Sequence, residues 1–355
     1  MTCSLRLWRS AIWTTVLLLR PLLPGARVLA AQHAPDIAAV RVDSAKHLVV
    51  ITAGPWDIPS AAPGPRSEHS GHVEPPPQRF VWPVNGWIRA ATLRLLTSTG
   101  VQVPHGMMHH LEVVNLGRRE LFYPAAERII GFGKETEDLR LPSSIGVPMT
   151  AGMPMAIAGA WTNTTGADLH DFRVELTVEW LPQNTVPRPL SVLPVTMVVI
   201  HSMFDESGFD LPSGTSTWSR DFSLPVNGRI LAAGGHLHDY ATGLALQDVS
   251  VGTTPRQVLA LGTKHDADGH LVGVGRLLPG IMGGGIRIKQ GHTYRVVSTY
   301  DNQTGEMIPG GAMTHLVVLF APDHLDAWPA VAPNDSLWKT DQDYLFHRVM
   351  AGMKM

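Results

Sequence analysis

Phe172, Val174, Leu176, Val178 and Trp180 alternate with Arg173, Glu175, Thr177 and Glu179. A period of two puts the apolar set on one face and predicts a strand with one wet side. Shorter β-prone runs lie from Lys46 to Thr52 and from Thr314 to Phe320, and Asp266-Ala-Asp-Gly269 carries a hairpin signal. Helical periodicity is nearly absent outside the N-terminal stretch and the C-terminal tail. Many short strands separated by Gly, Pro, Asn and Asp predict an all-β protein built of sandwiches or jelly rolls.

The pattern repeats once. Phe80-Val-Trp-Pro-Val-Asn-Gly86-Trp-Ile-Arg returns as Phe222-Ser-Leu-Pro-Val-Asn-Gly228-Arg-Ile-Leu, an offset of 142 residues. In both copies a Pro-Val-Asn-Gly turn leads into an apolar run. Chance recurrence of a turn motif is the plain alternative. The shared Phe and the following run favour duplication, and with it two tandem jelly-roll β-sandwich domains. The expected order is a signal peptide over 1–31, a strand and Pro-rich loop over 32–79 and a first jelly-roll domain over 80–182. A linker follows over 183–189, then a second jelly-roll domain over 190–322 and a tail over 323–355. The Pro-rich loop is expected to lack regular structure and carries His69 and His72.

The N-terminal stretch changes the picture of location. Arg6 and Arg9 precede a short apolar run, Ala11 to Leu19, and small residues follow at Ala26, Ala30 and Ala31. This reads as a secretory signal cut near Ala31, too short to span a bilayer. The mature chain is therefore expected to be secreted or periplasmic, with no membrane span. Loss of four signal arginines takes the net charge from −2 to about −6. With no basic block, a nucleic-acid partner is unsupported. The one cysteine, Cys3, leaves with the signal, so the mature chain has neither disulfides nor thiolate ligands. A soft metal ligand would have to be one of the 14 methionines.

Candidate chemistry centres on histidine. His236 and His238 follow two glycines in Gly234-Gly-His-Leu-His-Asp. In a strand they share a face with Cα atoms about 6.6 Å apart, close enough for both rings to meet one ion. The plain alternative is a solvated pair. His109 and His110 lie in Pro104-His-Gly-Met-Met-His-His110. Neighbours in a regular strand face opposite ways, so both reach one ion only at a strand end or bulge. Met313, in Gly310-Gly-Ala-Met-Thr-His315, sits at the mouth of an apolar strand. Core packing is the usual fate of Met, but His236, His238 and Met313 together make a soft N/N/S set suited to copper. The C-terminal Met350-Ala-Gly-Met-Lys-Met355 reads either as a Met-type copper tail or as a frayed end. No nucleophile elbow or phosphate-binding Gly loop is present.

The order of these motifs resembles the type II, ascorbate-dependent copper monooxygenases, typified by peptidylglycine α-hydroxylating and dopamine β-monooxygenases. The resemblance spans roughly residues 80–322. Met108-His-His-Leu111 is similar to the family's first copper pair, and His236-Leu-His238 with Met313 to its second site. Arg140-Leu-Pro-Ser-Ser-Ile-Gly146 and Pro187-Arg-Pro-Leu190 look like the intervening stretches. Stress-induced exported proteins of plants and bacteria carry a similar Gly-Gly-His-x-His run. The resemblance implies two jelly-roll domains and two copper ions. His236, His238 and Met313 would hold the oxygen-binding copper, and His109 and His110 the electron-transfer copper. Ascorbate or a similar reductant, O2 and a small-molecule or peptide substrate would complete the reaction. The chain also departs from the family. Ala160 stands where the family has its third first-site histidine, leaving His105 and His170 as possible substitutes. Gly234 stands where the peptide enzyme has a carboxylate-binding arginine, and Val317 where the family has a tyrosine.

Two functions are therefore expected to compete. One is an exported copper monooxygenase of unknown substrate. The other is a copper-binding or copper-buffering protein on the same fold, without turnover. A purely structural sandwich leaves the ordered His and Met clusters unexplained.

Overall fold

In the computed structural model the alternation of residues 172–180 becomes part of a strand over Leu169–Pro182. Phe172, Val174, Leu176 and Val178 are buried. Their opposite neighbours form cross-strand ion pairs, Arg94 to Glu175 at 3.1 Å and Arg89 and Arg140 to Glu179 at 2.8 and 2.9 Å. The structure describes residues 37–61, 73–133, 138–199, 208–267, 270–279 and 284–347. The signal segment, His69, His72 and the Met350–Met355 tail lie outside them. All described residues fall in one compact unit, about 59% strand and 6% helix, so the protein is all-β.

The first half lays down β1 (Ala39–Asp43), β2 (Leu48–Ile58), β3 (Gln78–Val81), β4 (Gly86–Leu96), β5 (Met108–Arg119) and β6 (Ala126–Gly133). It continues through β7 (Leu139–Arg140), β8 (Ile145–Met149), β9 (Pro154–Trp161), β10 (Leu169–Pro182) and β11 (Leu190–Ser191). The second half adds β12 (Leu193–Val198), β13 (Phe209–Leu211), β14 (Gly214–Ser223), β15 (Gly228–Leu237), β16 (Ala241–Asp248) and β17 (Arg256–Leu261). It ends with β18 (Thr263–His265), β19 (Leu271–Val274), β20 (Ile286–Ile288), β21 (Thr293–Asn302), β22 (Ile308–Ala312) and β23 (Thr314–Pro322), followed by helix α1 (Ser336–His347).

Sheet membership divides at Val192. Before it, one sheet runs β1-β2-β10-β4-β8-β11, with β7 on β4, and packs against a facing sheet β3-β9-β5-β6 through Trp161, whose ring lies 6.2 Å from Trp56 and 5.1 Å from Phe172. After it, the sheets are β12-β23-β15-β20 and β14-β21-β16-β17, with small pairs β13-β22 and β18-β19. The β18-β19 pair is the hairpin expected around Asp266. One buried apolar cluster runs through both halves. The tilted rings of Phe122 and Phe222 lie 5.0 Å apart, and the Val198 N–H donates to the Tyr123 hydroxyl at 3.2 Å.

Two sequence boundaries shift. β1 and β2 pair into the first half's large sheet through β10, so residues 39–58 are integral to it. The stretch 183–189 is a loop within the first half, because Leu190 and Ser191 still pair with β8.

The repeated Pro-Val-Asn-Gly loop has the same build twice. Asn85 Oδ1 accepts the Ala151 N–H and Asn227 Oδ1 accepts the Gln290 N–H, both at 2.9 Å. The Gly152 N–H reaches the Trp82 carbonyl and the Gly291 N–H the Leu224 carbonyl. A Cβ on Gly86 would strike the Leu181 carbonyl, and one on Gly228 the Phe320 ring and Ala321 carbonyl. Only glycine fits either place.

A second repeat, not visible as a hydrophobic pattern, is Asn163-Thr-Thr-Gly against Asn302-Gln-Thr-Gly. Asn163 Oδ1 accepts from the Thr165 N–H and hydroxyl at 3.0 and 2.7 Å, and Asn302 Oδ1 from those of Thr304 at 3.1 and 2.7 Å. Their Nδ2 groups donate four residues on, to Ala167 and Glu306 carbonyls at 2.8 and 2.7 Å.

Candidate metal centre

β15 and β23 pair antiparallel with His236 opposite His315 and Leu237 opposite Thr314. Leu237, Leu316, Val318 and Phe320 enter the core. By alternation, His236 and His315 therefore lie on the other face of the sheet. The His236 and His238 ring centroids are 5.4 Å apart, and those of His236 and His315 are 5.9 Å apart. His238 is buried, while His236 and His315 are half-buried. The two preceding glycines have different reasons to be there. A Cβ on Gly235 would come within 2.5 Å of a Leu244 methyl and 2.6 Å of the His315 carbonyl, whereas one on Gly234 would meet open space. Gly234 shares the face of His236, so its missing side chain leaves an approach to the rings.

Met313 lies between β22 and β23 and is half-buried. Continued alternation from His315 puts it on the histidine face, across from His238. Its backbone is pinned from the core side. The buried Tyr300 hydroxyl donates to the Met313 carbonyl, and Ser298 Oγ shares a 2.7 Å hydrogen bond with Thr314 Oγ1.

Burial, then the charge of His236, then that of His110 push the His315 imidazolium down to about 3. The ring is neutral at pH 7, the form in which imidazole binds a metal.

His109 and His110 open β5, just after a 3₁₀ turn over His105–Met107. Met108 pairs with Trp161 but His110 with Ala160, so the register skips at His109. That irregularity lets adjacent histidines converge, and their ring centroids are 5.3 Å apart. Of the two substitutes, His105 comes near. Its Nε2 lies 3.4 Å from the carbonyl of Gly133, the residue paired with His110 on β6. His170 does not join them. It lies on β10, in the facing sheet, exposed and 3.2 Å from Asp57.

As the rings stand, no three His, Cys, Asp or Glu side chains among the described residues converge in a metal-holding group. The donor types nevertheless fit copper, being imidazoles with a thioether that alternation puts on the same sheet face. His315 was missed as a member of the set from sequence. Its signal was the same i, i+2 spacing, Met313-Thr-His315, that marked His236 and His238. Beside the site, Asp239 accepts the Leu271 N–H at 2.8 Å and sits 3.0 Å from His270 Nδ1, fixing the β18-β19 hairpin next to His238.

No family model and no curated protein matches the chain. Among solved structures, the major capsid protein P2 of bacteriophage PM2 is similar at TM-score 0.38 and 10% identity, over 79% of this chain and 99% of that one. PNGase F, a glycosylasparaginase of Flavobacterium meningosepticum, is similar at TM-score 0.34 and 9% identity, over 77% and 96%. These likenesses are of β-rich build and carry no function across. No helix among the described residues is long and apolar enough to cross a membrane.

Proposed function

We propose that this chain is an exported copper-dependent monooxygenase that hydroxylates a C–H bond, using O2 and a reductant such as ascorbate. The observation that supports the reading is the β15–β23 register, which pairs His236 with His315; alternation continued past the strand ends would bring His238 and Met313 to the same face. Copper bound there would supply O2 binding in its reduced state, which the Met313 thioether favours. The chain's part is to hold imidazoles on one face, to keep Met313 in place through Tyr300, and to leave an approach at Gly234. His109 and His110 would hold a second ion for electron supply.

A second reading has its own support. Ala160 offers no donor opposite His110, and a first site without its third ligand suits copper holding without turnover. Copper stoichiometry and reductant-dependent O2 uptake separate the two. Two ions with uptake stimulated by a mixed substrate pool support the enzyme. One ion without uptake supports copper holding. No copper retained after reconstitution sinks both.

A further inference from the structure

We propose that His315 is a third imidazole ligand of the ion held by His236 and His238, making the second-half centre a three-nitrogen, one-sulfur site. This rests on the copper reading above and adds a ligand to it. Two imidazoles on one tetrahedral ion, each with a metal–nitrogen distance of about 2.0 Å, have ring centroids about 5 Å apart. The two observed separations, 5.4 and 5.9 Å, lie close to that value. His236 is common to both, so the three rings form a contiguous set.

The backbone makes the juxtaposition robust. His315 is the cross-strand partner of His236, and such pairs hold their Cβ atoms about 4.5–5.5 Å apart. β23 is fixed on both sides, by β15 and by β12, where Val198 pairs with His315. Closing the rings on one ion needs side-chain rotation and no change of register. With three imidazoles, removal of Met313 changes the site's preference for reduced copper but not its ability to hold the ion.

The test uses the full chain in a His109→Ala/His110→Ala background, loaded with one equivalent of copper. X-ray absorption counts the imidazoles, and competition with a chelator gives the affinity. The parent should show three imidazoles. His315→Gln should show two and bind about tenfold or more weakly. Apo melting curves confirm that the variant is folded. In His315→Ala, added free imidazole should restore the third nitrogen. An unchanged imidazole count with affinity within about twofold overturns the assignment. If His236→Ala also binds as the parent does, or the parent binds no copper, the copper reading falls with it.

Discussion

His110 faces Ala160 across the β5–β9 pair, and the methyl group there gives the first-half histidines no third donor. On the proposed reading the second-half set, with His236, His238, His315 and Met313, has no such gap. Copper titration should therefore show one tight equivalent and one weak one. His109→Ala/His110→Ala should remove only the weak equivalent, and His236→Ala the tight one. Ala160→His should strengthen the weak equivalent, at about 1–3 kcal/mol of stability, because Ala160 is fully buried. Loss of the tight ion in the His109/His110 variant would show that the two clusters bind as one.

Glu120 gives the protein a distinctive pH response. Burial raises its carboxyl to about 8, opposed by the Arg128 N–H at 3.0 Å and assisted by nearby Glu127. The folded state keeps this proton to about 8, while the unfolded chain releases it near 4.5. The stability it contributes is complete below the unfolded value and is lost as pH rises through the folded one. Burial raises Glu127 in the same direction. Urea unfolding should show stability falling by a few kcal/mol between about pH 5 and 9. Glu120→Gln should flatten much of that slope. An equal slope in the variant would place the cause elsewhere.

Much of the framework was legible because it is local. The alternation at 172–180 reports one strand's two faces, and Asn-Gly at 85–86 and 227–228 reports a turn that excludes a Cβ. The candidate centre was only half legible. His236 and His238 share a strand, so their spacing shows their common face. His315 reaches them through a pairing between distant strands, and no local period encodes that register. The skip at His109 was likewise invisible, since adjacent histidines look the same with or without it. His105 and His170 were equivalent on paper. The sheets separated them, placing one beside the Gly133 opposite His110 and the other on the facing sheet.

The Asn163 and Asn302 loops should behave as a matched pair. Each side chain closes its own turn and also bonds a carbonyl at the edge of a distant strand segment, Ile58 for Asn163 and Leu211 for Asn302. Both are buried. Alanine at either position strands several backbone groups and should cost about 2–4 kcal/mol. Asn163→Asp retains the acceptor but turns a buried carboxylate oxygen onto the Ile58 and Ala167 carbonyls, so it should cost at least as much as alanine. Thermal melts of the three variants check this. Near-wild-type stability of Asn302→Ala would show that the second loop does not share the first one's role.

Tyr300 links the core to the candidate centre. Its ring is fully buried against Phe209 at 6.0 Å, and its hydroxyl donates to the Met313 carbonyl. Tyr300→Phe keeps the packing and removes that anchor, leaving the backbone next to the thioether freer to move. The expected loss is about 1 kcal/mol of apo stability. The more specific consequence lies at the metal. Reduced copper bound to the variant should show a weakened or absent sulfur contribution in X-ray absorption, while the imidazole contribution stays. Met313→Leu should reproduce that spectrum without the stability loss. If Tyr300→Phe leaves the sulfur signal intact, the hydroxyl holds the fold and has no part in presenting Met313.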